Sequence, residues 1–145
     1  AGDGSARAKL EEQARVLELE ARVRFLGRRD DAPDLLGACD VFVLPARKEG
    51  LGVSALEAMA AGRAVVASKV GGLAEAVLDE ECGLLVPPDD VKALADALER
   101  VLRDDALRRH LAAGGPRRVA QGFLASQMVD AYEKRYRSVL EEYRG

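Results

Sequence analysis

Two glutamates, Glu49 and Glu57, stand with seven residues between them in the stretch ARKEGLGVSALEAMAAG (Ala46 to Gly62). Ionised carboxylates only accept hydrogen bonds, so they suit the hydroxyls of a sugar or a ribose and repel a phosphate. Gly50 and Gly52 precede a run of helix formers. Glycine there permits unusual backbone angles and lets a ligand approach the main chain closely. The amides of Val53 and Ser54 lie near the start of that helix, where free N–H groups and the positive dipole end make an anion site. A phosphate on those amides with hydroxyls beside it describes a phosphate-bearing, hydroxyl-rich ligand. The same residues have a plainer reading. Ser54-Ala55-Leu56-Glu57 fits the capping box S-x-x-E, in which Ser54 caps the helix and Glu57 reaches back. The two readings are compatible.

The flanking segments show what must hold this stretch. VFVLP (Val41 to Pro45), AVVAS (Ala64 to Ser68) and GLLVP (Gly83 to Pro87) are uninterrupted apolar runs, expected as strands buried on both faces. VRFLG (Val23 to Gly27) is a fourth strand candidate. Helical periodicity marks Ser5 to Leu19, and DDAPDLLGACD reads as a short helix. Strands alternating with helices give an α/β fold, a doubly wound parallel sheet, in which ligands sit at the carboxyl ends of the strands. The quoted loop follows the VFVLP strand, at that end.

The second half is expected to be wholly helical. Asp89 or Asp90 caps a helix whose apolar stripe is Val91, Leu94, Ala95, Leu98, Val101 and Leu102. A second helix covers Asp104 to Ala113 and stops at Gly114-Gly115-Pro116. A third, from Ser126 to about Tyr143, gathers Val129, Tyr132, Tyr136, Val139, Leu140 and Tyr143 near one face.

Composition excludes several classes. The chain has 145 residues, 48% hydrophobic and 32% charged, with a net charge of −3, which argues against nucleic acid as a partner. Cys39 and Cys82 share no metal-ligand or C-x-x-C spacing, and the single histidine, His110, has no cluster around it, so no metal site is expected. Packed or half-packed reduced thiols imply a cytoplasmic chain. No G-x-G-x-x-G follows a strand and opens a helix, which removes support for a dinucleotide-dependent oxidoreductase; GDGSAR is a partial echo.

EGLGVSALE, followed by AMAAGRAVVASKVGGLAEAV and GLLVPPDD, resembles the retaining glycosyltransferases of group 1 with the GT-B architecture, whose signature is E-x7-E. The likeness extends upstream through GDG, RVRFLGR and ACDVFVLPA, and covers nearly the whole chain. It implies a Rossmann-like C-terminal half of a GT-B fold, residues 1–145 forming one nucleotide-sugar-binding domain, incomplete at its N-terminus. It implies that Glu49 accepts from donor-sugar hydroxyls as the catalytic-site carboxylate, helped by the main chain at Leu51 and Gly52. Val53 and Ser54 would meet the phosphate, Glu57 the ribose, and the main chain at Leu26, Gly27 and Arg28 the base. Gly71-Gly72 would be a structural turn and Glu75 part of a short helix. The donor would be a UDP- or GDP-sugar, used without a metal.

The resemblance also says what the chain lacks. The acceptor-holding N-terminal domain is absent, as are the first strands of this domain and the Arg and Lys that neutralise the departing diphosphate. Arg47 and Lys48 do not take their place. The isolated chain is therefore expected to bind donor without transferring sugar, with an unpaired sheet edge and self-association or a swapped second copy in place of the missing domain. Peripheral membrane association of the full enzyme would run through that absent domain. A second function, a non-catalytic nucleotide-sugar-binding or assembly module beside a separate subunit, uses the same residues.

Overall fold

A computed structural model describes residues 1–143. The last two residues of the 1–145 domain reading lie outside it. The chain divides into two compact units, residues 1–35 and 36–145.

The first unit is built on helix α1 (Arg7–Val16). Ala14 is its buried residue, while Leu10 and Leu17 are exposed. The Arg7 guanidinium ties the helix to its surroundings through Glu11, Asp3 and the Phe25 carbonyl. The segment Val23 to Gly27, expected as a strand, is not one. A strand exists only through a ladder with a neighbour. Here a single backbone bond, from the Gly2 amide to the Gly27 carbonyl at 2.7 Å, is the only tie of that kind among the described residues. Apolar composition suggested a strand, but no ladder forms on the segment among the described residues. Helix α2 (Ala32–Ala38) follows, as DDAPDLLGACD predicts.

The second unit contains a parallel three-stranded sheet in the order β1 (Val41–Leu44), β2 (Ala64–Ser68), β3 (Leu84–Val86). Its register pairs Val41 with Ala64 and Leu44 with Ala67, then Val66 with Leu84 and Ser68 with Val86. Alternate residues of β2 therefore enter two different cores. Val65 and Ala67 pack with Ala55, Leu56, Ala58 and Met59 of helix α3 (Val53–Ala60) and with Leu73 and Ala76 of helix α4 (Leu73–Ala76). Ala64 and Val66 pack instead with Leu84, Val86, Val101 and Leu111. Successive right-handed crossovers that step the same way across a sheet return on the same face. That accounts for α3 and α4 sharing one face while helix α5 (Val91–Arg103) covers the other.

Every residue of β2 is buried, as its run of apolar residues requires. β1 is only half-buried throughout, against expectation, because it is an edge strand with β2 as its one neighbour among the described residues. On α5 the buried side is Ala93, Leu94, Ala97, Leu98 and Val101, whereas Val91, Ala95 and Leu102 face outward. The expected stripe was rotated too far toward the helix's first residue. Asp90 caps this helix by accepting from the Ala93 amide at 2.8 Å. Asp104 repeats the device for helix α6, accepting from Leu107 at 2.9 Å.

α6 (Asp105–Gly122) runs straight through Gly114-Gly115-Pro116, where a stop was expected. Tertiary contact outweighs local propensity. Both glycines are buried, and a Cβ on Gly114 would lie 2.1 Å from the Glu81 carbonyl oxygen. One on Gly115 would lie 2.6 Å from the Met59 carbonyl oxygen. Gly115 lets α6 touch the backbone of α3 directly, and Gly114 lets it touch the backbone at Glu81, just before β3. Helix α7 (Ala125–Glu142) buries no residue, and Val129, Tyr132, Tyr136, Leu140 and Tyr143 of its expected apolar face are exposed, with Val139 half-buried. Cys82 is buried, which pushes its thiol above the usual range, and Cys39 is half-buried. No helix among the described residues is long and apolar enough to cross a membrane.

The contact at Gly115 predicts opposite outcomes for two similar substitutions. Gly115→Ala should destabilise the protein by about 1–3 kcal/mol through overpacking against Met59. Gly122→Ala, with nothing within 4 Å of its would-be Cβ, should be neutral or stabilising by up to about 1 kcal/mol. Urea unfolding followed by circular dichroism measures both.

Candidate functional site

The site grows from the end of β1. The chain leaves that strand at Pro45 and forms the loop Ala46–Gly52 before entering α3. Gly52 stands at φ +76°, ψ +49°, a left-handed conformation that glycine adopts without steric cost. Its space is closed as well, since a Cβ there would meet Leu73 Cδ2 at 2.4 Å. Two independent constraints thus require glycine at this position.

Gly52, not Ser54, is the N-cap of α3, and no side chain caps the helix. The capping box expected from Ser54 and Glu57 does not form. The helix begins two residues earlier than the box needs, so Ser54 sits inside the first turn and its hydroxyl is not the capping group. The Gly52 carbonyl accepts from the Ala55 and Leu56 amides at 2.9 and 3.1 Å. The amides of Val53 and Ser54 make no bond to any other described residue. These are two of the four amides that an α-helix leaves without an i−4 partner at its start.

Helical spacing then places Glu57. Residues four apart share a face, so Glu57 lies along the helix from Val53. The burial pattern agrees: Val53, Ser54, Glu57 and Ala60 are exposed, while Ala55, Leu56, Ala58 and Met59 are buried. One solvent-facing surface of α3 therefore carries the two free amides and the second carboxylate. Glu49 lies at the other end of the glycine loop, half-buried, and its Oε1 accepts from the Gly50 amide at 3.0 Å. Leu51 is exposed beside it.

Arg47 pairs with Asp89 across the ends of β1 and β3, Nε to Oδ1 at 2.6 Å, with both groups largely exposed. That partner was not visible in the sequence. The Asp-Asp pair signalled only a helix cap, and Asp89 instead adopts φ +60° while Asp90 caps. Both residues of the ion pair line a cleft of about 280 Å³ together with Pro45, Ser68 and Val86. Leu26, Gly27 and Arg28 belong to the first unit, where Gly27 has φ +66° and Arg28 is exposed. Among the described residues no three His, Cys, Asp or Glu side chains gather as a metal site would.

The arrangement in the second unit offers hydrogen-bond donors for an anion and acceptors for hydroxyls at the carboxyl end of a parallel sheet. A family described as "Glycosyl transferases group 1" matches residues 1–118. The chain belongs to that family. Among curated relatives it is 32% identical over 141 residues to the N-acetyl-alpha-D-glucosaminyl L-malate synthase of Bacillus anthracis, covering 97% of this chain and 37% of that one. Among solved structures it superposes on the sucrose-phosphate synthase of Thermosynechococcus elongatus with a TM-score of 0.89 at 38% identity, over 96% of this chain and 35% of that one. Anabaena HepE, solved in complex with UDP-glucose, gives a TM-score of 0.87 at 31% identity, over 94% and 39%. The three parallel strands followed by helices match the C-terminal domain of the GT-B fold in these group 1 glycosyltransferases. The chain spans a little over a third of the length of these relatives.

The uncapped start of α3 has a direct test. A capping Ser replaced by Ala costs about 1 kcal/mol. Ser54→Ala should change stability by less than about 0.5 kcal/mol, as surface substitutions do. Equilibrium unfolding in urea reads the difference, and a loss of a full kcal/mol would restore the box.

Proposed function

We propose that this chain is the donor-binding part of a retaining, metal-independent glycosyltransferase, and that it holds a nucleoside diphosphate sugar on the exposed face of α3 and the loop before it. The observation that carries this is the uncapped N-terminus of α3, with the Val53 and Ser54 amides free and carboxylates at Glu49 and Glu57 on either side of them in sequence. In this reading the two amides bind the phosphate nearest the ribose, and Glu57 accepts from the ribose hydroxyls. Glu49, with the main chain of Leu51 and Gly52, holds the sugar. The complex of HepE with UDP-glucose supports a donor of this class, at 31% identity over most of this chain.

The chemistry of the site supports a second step in the reading. Transfer leaves negative charge on the departing diphosphate, and fixed positive charge at that point is commonly a large part of catalysis. Arg47, the arginine in the loop before α3, is already engaged by Asp89. The 145-residue chain alone therefore binds donor but does not transfer sugar at enzymatic rates.

Calorimetry with UDP, UDP-glucose, GDP and GDP-mannose tests the binding. Glu57→Ala should weaken every nucleotide alike, by roughly 1.5–3 kcal/mol for hydrogen bonds to a charged group. Unaltered affinity in a folded variant would remove Glu57 from the ribose. Donor hydrolysis or transfer by the isolated chain at ordinary turnover would overturn the second step.

A further inference from the structure

The loop that carries Glu49 has almost nothing of its own to hold it. Gly50 and Leu51 are exposed, and Glu49 bonds back to its neighbour's amide. Between Arg47 and Leu51, the one backbone hydrogen bond to another segment among the described residues is accepted by the Gly50 carbonyl from the Gly72 amide, at 2.6 Å. The contact is closer than any side chain allows. A Cβ on Gly72 would lie 2.0 Å from the Gly50 oxygen and 2.8 Å from Leu51 Cα. A Cβ on Gly71, which stands at φ +45°, would lie 2.0 Å from the Glu49 carbonyl oxygen. The next residue, Leu73, is fully buried and fills the space where a side chain on Gly52 would go.

Three successive residues thus meet three parts of the loop: Gly71 at Glu49, Gly72 at Gly50 and Leu51, Leu73 at Gly52. We propose that the Gly71–Gly72 turn is a positioning element for sugar recognition, fixing the Glu49–Gly52 loop by backbone-on-backbone contact. The proposal rests on the donor-binding reading for the identity of the ligand. α3 is anchored through Ala55, Leu56, Ala58 and Met59 in a core that Leu73 shares, whereas the close contacts of Gly71 and Gly72 fall on the backbone of the loop. The turn consequently governs the groups assigned to the sugar, while the core governs those assigned to the nucleotide. A side chain at Gly72 separates the two.

Gly72→Ala is compared with the unaltered chain in two measurements. Without ligand, the amide resonances of Gly50 to Gly52 should move in nitrogen–proton spectra while those of Val101 and Leu111 in the other core stay in place; unmoved loop resonances overturn the proposal. In calorimetry, the unaltered chain should bind UDP-glucose or GDP-mannose more tightly than the matching diphosphate. Gly72→Ala should erase that margin, with a tenfold or greater loss for the sugar ester and less than a twofold change for UDP or GDP. A parallel loss of both ligands, or no loss, overturns the proposal. If the unaltered chain binds no nucleotide, the donor reading fails and the ligand-free spectra still decide whether the turn sets the loop. Should Gly72→Ala not fold, Leu73→Val removes the methyl that faces Gly52 and should reduce the sugar margin at least threefold; an intact margin overturns the proposal.

Discussion

Close contact between main chains, with no side chain between them, is the constraint on which the second unit depends. Gly72 rests on Gly50, Gly114 on Glu81, and Gly115 on Met59. Interiors pack at the density of organic crystals, so a contact of this kind leaves no slack for even one methyl group. The two sets do different work. Gly115 brings α6 onto α3, the helix that bears the free amides, and Gly114 brings it onto the backbone before β3. Gly71 and Gly72 bring the turn after β2 onto the loop after β1. The site is positioned from beneath by one set and from the side by the other.

This explains which parts of the fold were legible in the sequence. β2 and β3 read correctly because a short run of buried apolar residues between turn signals has few other solutions. Asp90 read correctly because a cap is a local device, settled within four residues. The errors fall where a partner decides. Val23 to Gly27 has the composition of a strand, and no ladder forms on it. Gly114-Gly115-Pro116 has the composition of a stop, and the helix continues because its glycines meet the backbones of Glu81 and Met59. β1 is apolar enough for a central strand and lies at an edge. Distant partners leave no periodicity near the residues they act on.

The place of the candidate site, between β1 and α3, was legible in the sequence, and the capping at its helix start was misread. Glu49, Glu57 and the two amides stand where spacing placed them relative to α3. Ser54 does not cap. The chemistry of the pattern S-x-x-E is ambiguous because the box and the site draw on the same side chains. What decides between them is the register of the helix start, and that is set by Gly52 in a left-handed conformation against Leu73. Neither the backbone angle nor the distant leucine can be read from S-x-x-E.

The missing cap also bears on what the site is for. A helix start commonly takes a Ser, Thr, Asp or Asn oxygen onto its first amides, and this chain does so at Asp90 and again at Asp104. α3 has glycine at the cap position, and its serine, Ser54, lies inside the first turn. Its first amides remain open on an exposed surface beside a carboxylate, at the strand end where ligands of α/β sheets bind. A side-chain cap would occupy the donors that an incoming phosphate needs, so the stability forgone at this one helix start is the condition for an anion to bind there. A bound anion would restore the hydrogen bonds that the cap would have made.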